Sequence, residues 1–226
     1  MKTKILLAIL LITQGMFSQN ENNRKIGDFK ILKVYDLVNI ELIRAEENYA
    51  EVTGEHSNNI VIKNKNGELK VRMGLERRFR GANTKVKIFY NNIDKIYVHE
   101  GVFIFSKDTI AQADIYVKAD EGARVAFILN TATLSTNTSS GAIMDLQGKT
   151  QHHRAKVNTG GELKASRLET DETEVFLTTG AVADVFAKNT LGANVRAGGT
   201  INVHSKTKKI VENILVGGTV NYLYED

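Results

Sequence analysis

Val38, Ile40 and Leu42 alternate with Asn39 and Glu41, and Leu69, Val71 and Met73 alternate with Lys70 and Arg72. Side chains at every second position share one face of a strand, so these segments read as half-buried strands. Val86, Ile88 and Tyr90 supply another strand, and Ile93, Ile96 and Val98 a further one. Asn66-Gly67 lies between the Ile60–Ile62 run and Leu69, a hairpin dipeptide because both turn positions tolerate positive φ. Residues 29–98 are therefore expected to form a β-rich, antiparallel or mixed region that covers the start of whatever follows.

From residue 99 onward the pattern acquires a longer period. Gly101, Gly122, Gly141, Gly161, Gly180, Gly199 and Gly218 are spaced by 21, 19, 20, 19, 19 and 19 residues. An aliphatic or aromatic residue stands two positions after most of them (Phe103, Ile143, Leu163, Val182, Ile201, Val220), with Arg124 the exception. A second set, Val157, Phe176, Val195 and Ile214, precedes the glycine by four. A unit of ~19 residues cannot bury its own apolar face, so the units must stack, each coil pairing with the next at ~4.8 Å. These observations predict an all-β chain with a parallel β-helix, or β-solenoid, over residues 99–226. Its hand is expected to be right, as for parallel crossovers generally. In this register Val182, Ile201 and Val220 should form one core column. Glu225 and Asp226 would put charge beside the last strand and blunt its edge.

Composition narrows the chemistry. The 226 residues are 42% hydrophobic and 25% charged, with neither proline nor cysteine. That is a globular composition. It excludes Pro-rich linkers, disulfides, Cys-ligated metals and thiol nucleophiles. Lys2 and Lys4 precede the apolar run Ile5–Ile12, and small and polar residues follow to Gln19, so residues 1–18 read as a secretory signal peptide and 19–28 as a linker. Export to the periplasm, the outer surface or the medium is implied. Removal of that segment lowers the formal charge from +4 to +2, too little positive field for a nucleic-acid partner.

Many β-helices act on polysaccharides, which makes paired carboxylates worth weighing. Asp145 and Asp184 each follow a glycine by four residues, with Ala165 expected at that place in the coil between. Two coils separate them by ~9.6 Å, beyond the ~5–5.5 Å of a retaining glycosidase and at the limit of the inverting range. No tryptophan is present to stack on a sugar. The histidines (His56, His99, His152, His153, His204) show no metal-binding spacing, and the adjacent pair should face opposite ways on a strand. Ser139, Ser140, Thr159, Thr178 and Thr179 read as turn ladders, since no nucleophile elbow accompanies them. No catalytic, cofactor or metal site is therefore assigned. Arg77, Arg78, Phe79 and Arg80 form the densest basic and aromatic cluster, a candidate grip on a carboxylate, a sulfate or a partner chain. Lying outside the repeat, it should be replaceable without harm to folding. Asp108-Thr109-Ile110 matches a bacterial O-glycosylation tripeptide, which makes Thr109 a candidate acceptor.

The Phe29-x-x-Leu32-x-Val34 opening, Val38-x-Ile40-x-Leu42, the Asn66-Gly67 turn into Leu69-x-Val71, and rungs such as Ser140-Gly141-Ala142-Ile143 and Thr179-Gly180-Ala181-Val182 follow one another in an order that resembles a known family. It is the putative auto-transporter adhesin, head GIN domain family of bacterial envelope proteins, and the resemblance spans most of residues 29–223. It implies a β-helix-like fold, an extracytoplasmic location and an adhesin role without catalytic residues. His99-Glu100-Gly101-Val102-Phe103 is bulkier than the Ser/Gly-rich first rung of such proteins. The reading that follows is an exported, non-enzymatic solenoid that binds a cell-surface, carbohydrate or protein partner. A polysaccharide-active enzyme and a self-associating envelope component, possible as a homo-oligomer, are the alternatives.

Overall fold

The computed structural model describes residues 23–224, so the expected leader and the terminal Glu225 and Asp226 lie outside the described residues. Within it the chain is a parallel β-solenoid of about seven turns. Apart from strands the only regular elements among the described residues are two short 3-10 turns, Ser57–Asn59 and Leu75–Arg77. No helix there is long and apolar enough to cross a membrane.

Period-2 patterning builds the core directly. On one face Ile104, Val125, Met144, Leu163, Ala183, Ile201 and Val220 stack in consecutive rungs. On a second face Ala119, Thr138, Val157, Leu177, Val195 and Ile214 do the same. From Ile104 to Ile201 and from Ala119 to Val195 every member is buried. Long strands such as Arg124–Thr138 bend between faces, with register irregularities at Ala126/Ile128 and Asp145/Gln147.

The register differs from the sequence expectation by one residue in several coils. Each corner is a pair in the left-handed region: Glu100-Gly101, Glu121-Gly122, Ser140-Gly141, Thr159-Gly160, Thr179-Gly180 and Ala197-Gly198, with φ between 48° and 78°. Bonds such as Val102 N–H to His99 C=O and Ala142 N–H to Ser139 C=O close these corners as tight turns. The next rung adds a ladder, for example Gly101 N–H to Glu121 C=O at 2.9 Å. The corner glycines are thus 160, 198 and 217, not 161, 199 and 218. Gly160-Gly161, Gly198-Gly199 and Gly217-Gly218 are doublets, which fit either register when only spacing is known. Gly161 instead faces the interior, where a Cβ would sit 2.7 Å from the Thr138 carbonyl oxygen. Consequently Val182, Ile143 and Phe103 point outward beside Arg124, and Ala183 replaces Val182 in the core column. Phe176 likewise faces out and Leu177 in.

Parallel pairing already begins within residues 29–98. Ile31–Val34 lies between Glu68–Met73 and Lys95–Val98, parallel to both. Asn39–Arg44 lies in the same way between Thr84–Tyr90 and the start of Phe103–Ala119. The chain therefore lays its second coil outside its first, then crosses back to continue the stack. Antiparallel strands finish that end: Ile60–Lys65 pairs with Glu68–Met73 through the Asn66-Gly67 turn, and Tyr49–Gly54 bridges Thr84–Tyr90 to Asn23–Lys25. At the other end Lys209–Ile214 and Gly218–Tyr222 have a strand on one side only among the described residues.

Candidate functional site

The Arg77–Arg80 segment sits over the first corner, Asp36-Leu37, and is divided in role. Asp36 has no exposed surface and receives the Met73 N–H on Oδ2 at 3.1 Å. Arg78 Nε lies 3.6 Å from Asp36 Oδ1, and Arg72 Nε lies 3.6 Å from Oδ2. Glu100 joins the network, accepting from Asp36 N–H at 3.2 Å and from Arg78 Nη2 at 3.3 Å. Arg78 also rests over the Phe79 ring, 5.0 Å from its centre. A buried carboxylate needs such partners, so Arg78 belongs to the architecture and its replacement would disturb folding, contrary to the sequence expectation. Arg80 and Phe79, the latter 52% exposed, face solvent. One signal for this network was present: Asp36 is the charged member of the series Leu32, Val34, Asp36, Val38, Ile40, all buried.

The two carboxylates weighed for catalysis are engaged separately. Lys164, not Ala165, stands between Asp145 and Asp184 in the stack, because Ala165 faces the core. Arg167 donates to both Asp145 oxygens at 3.0 Å. Asp184 Oδ1 lies 3.0 Å from Asn202 Nδ2 and 2.9 Å from His204 Nε2. Each acid is thus tied to a neighbouring coil rather than to the other.

His152 and His153 do face opposite ways. His152 is exposed beside Glu172 at 3.2 Å. His153 is buried in the column Ile115, Leu134, His153, Thr173, Leu191, with Thr136 Oγ1 3.0 Å from its Nε2. Burial pulls its pKa down to about 4, so it is neutral at pH 7. His99, Asp120 and Glu121 place ligand-type atoms within 4.8 Å of one another, a grouping that histidine spacing did not reveal. Asp120, however, is held by His99 Nδ1 at 2.5 Å and by Lys118 Nζ at 2.9 Å, and Tyr35 stacks on His99. The lysine already supplies the cation that such a cluster calls for. Thr109 is exposed on the strand Phe103–Ala119, beside its register irregularity with Arg124–Thr138.

The feature that no motif announced is a trough along the solenoid. Asp114, Thr133, His152, Glu172 and Thr190 occupy one outward column, and Tyr116, Ser135, Arg154, Glu174 and Gly192 the next. Crevices of about 530 Å³ and 390 Å³ meet at Thr133. Short side chains at Thr133, Ser135 and Thr190 and the bare backbone of Gly192 form its low points. Arg154 pairs with Glu174 at 3.5 Å and lies over the Phe176 ring. Such a surface can run along an extended chain across several coils, with polar groups repeating at the rung spacing.

Residues 28–206 match the family described as putative auto-transporter adhesin, head GIN domain. Among solved structures, a putative adhesin from Bacteroides fragilis is 14% identical with a TM-score of 0.82, over 89% of this chain and 95% of that one. A putative lipid binding protein from Parabacteroides distasonis is 16% identical with a TM-score of 0.68, over 90% and 98%. A putative adhesin from the same species is 18% identical with a TM-score of 0.71, over 89% and 95%. At these identities the likeness carries the fold. No curated protein matches the chain.

Proposed function

The chain belongs to the putative auto-transporter adhesin, head GIN domain family, and from that membership we propose that it is an exported, non-enzymatic solenoid that attaches to a cell-surface partner. The observation that carries this reading is the trough, in which outward side chains repeat in register over at least five rungs. A repetitive polymer, such as a surface polysaccharide or an extended protein segment, is the partner that matches a repeating surface. Export rests on the Lys2, Lys4 and Ile5–Ile12 pattern, with cleavage near Ser18–Gln19. Arg77, Phe79 and Arg80 add a basic and aromatic edge at the first corner.

Labelled mature protein, incubated with whole cells and with a panel of acidic and neutral polysaccharides, tests the proposal. Saturable attachment without product release is expected. Steady formation of reducing ends or unsaturated products, lost in Asp145→Asn or Asp184→Asn, would replace it with an enzyme. N-terminal sequencing from an exporting host should begin near Gln19, and a secreted chain that keeps Lys2 and Lys4 would reject signal cleavage.

A further inference from the structure

A separate crevice of about 370 Å³ opens on the face that carries Phe103. Three adjacent rungs build it in a fixed order. Lys85 and Lys87 stand on one rung, Asn39 and Glu41 on the next, and Phe103 and Phe105 on the third, with 85, 39 and 103 in one column and 87, 41 and 105 in the other. All six side chains point outward, because their neighbours Val86, Ile40 and Ile104 fill the core.

The chemistry of this crevice is graded. The two phenylalanine rings lie parallel, 5.3 Å between centres, and Phe103 is 37% exposed. Lys107 closes one side, 2.7 Å from Glu41 and 6.0 Å from the Phe105 ring centre. Lys87 is held by Glu51 at 3.3 Å. Lys85 is exposed and has no acidic partner among the described residues. Asn39 donates to the Ala82 carbonyl at 2.6 Å, which leaves its amide oxygen to accept, and the exposed Thr53 sits opposite Lys85 on the antiparallel strand.

We propose that this crevice binds an acidic sugar residue of a cell-surface glycan, with the carboxylate at Lys85, the hydroxyls toward Asn39, Glu41 and Thr53, and the C–H surface against Phe103. Glu51 offsets Lys87 and Glu41 offsets Lys107, so Lys85 leaves the crevice one uncompensated positive charge, which favours an anion. An aromatic patch beside several donors and acceptors suits a molecule that is apolar on one surface and hydroxylated at its edges. An acyl chain would desolvate the Asn39 amide oxygen and the Thr53 hydroxyl without pairing them and would strip water from the Lys107–Glu41 pair, at a penalty. The inference rests on the adhesin reading and names a ligand class for it.

Isothermal titration of the mature protein with trigalacturonate, and with its methyl ester of the same shape and no charge, is the test. Trigalacturonate should bind, more weakly as salt rises. The ester should bind at least about tenfold more weakly, as should trigalacturonate to Lys85→Gln, the loss expected for one charge-assisted contact, and Phe103→Ala should weaken binding about threefold or more through the lost apolar ring contact. Both substitutions are on the outer surface, so the melting temperature should hold, and Lys188→Gln, far along the solenoid, should bind normally. Equal affinity for acid and ester, binding unchanged in both crevice variants, or no heat at millimolar trigalacturonate would overturn the assignment. Cell attachment by the same variants separates the two levels. If wild type and crevice variants attach equally, the crevice assignment falls and the adhesin reading stands. If wild type attaches to no surface, the adhesin reading falls as well.

Discussion

The solenoid ends in two different ways. At the end nearer the N-terminus the coil 68–90 covers the coil 31–44, antiparallel strands cover its edges, and Leu69, Val71, Met73, Val86 and Ile88 are fully buried. At the other end the last coil occupies the same kinds of inward columns, yet Ile214 is 37% exposed and Tyr222 41%. Leu215, Val216 and Leu223 beside them are more exposed still. An inward position in a solenoid is therefore only as buried as the rungs on both sides make it. The uncovered end carries its own device: Glu212 takes the inward place held by Ala193 in the previous coil, and Tyr222 hydrogen-bonds to it. An inward carboxylate discourages a further strand from adding there. The Tyr222 hydroxyl is pushed up to about 12, by desolvation first and by the Glu212 hydrogen bond second.

The largest effects should come from placing a charge in inward columns toward the covered and the open end. Ile88→Asp and Ile201→Asp bury an unpaired carboxylate and should cost about 5 kcal/mol or more, comparable to the ~5–15 kcal/mol total of a typical domain. Val220→Asp at the open end, and Val182→Asp on the outer surface, should cost about 1–2 kcal/mol at most. Urea melts of the four variants measure this. Similar losses in Val220→Asp and Ile88→Asp would mean that the last coil is covered in solution.

Next in size is the buried network at the covered end. Arg78→Ala removes one of the two guanidinium groups beside Asp36, leaving Arg72 and the Met73 N–H, and should destabilise by about 2 kcal/mol, whereas Arg80→Ala, exposed, should stay within about 0.5 kcal/mol. Thermal unfolding of the pair distinguishes an architectural Arg78 from a purely surface one, for which both variants would melt alike.

His153 tests the same contrast in the middle of the stack, where an ionisable side chain must stay neutral. Its pKa is about 4 in the folded chain, against an ordinary 6.5. Between those values the unfolded chain takes up a proton that the folded chain does not, so stability falls as pH falls. The loss is roughly 1.4 kcal/mol per unit, about 2 kcal/mol by pH 5. His153→Leu should remove that part of the acid dependence. Parallel pH–stability curves for wild type and His153→Leu between pH 7 and 4 would contradict the buried, neutral assignment.

The smallest effect belongs to the open end. Tyr222→Phe loses one exposed hydrogen bond and should change stability by less than about 1 kcal/mol. A loss of several kcal/mol in a urea melt would show the terminal coil to be as tightly held as the interior ones.

The amino-acid pattern alone carried the all-β class, the parallel stacking, the ~19-residue coil and the Asn66-Gly67 turn, because strand parity and turn backbone conformation are local properties. The opposite orientation of His152 and His153 followed from the same parity. It did not determine which glycine of a doublet turns the corner, since Gly160 and Gly161 differ only in backbone angle and in what each faces. Nor did it show that the core residue stands three places after the corner glycine, which turns Val182 and Phe103 outward and lets Phe103 line the crevice at Lys85. Nor could it show that the second coil lies outside the first, a matter of which strands find one another across tens of residues. The fate of Arg78 followed from that arrangement: Asp36 is buried only because the later coil brings Arg72, Met73 and Arg78 over it, and a buried charge draws in whichever cation the fold sets nearby.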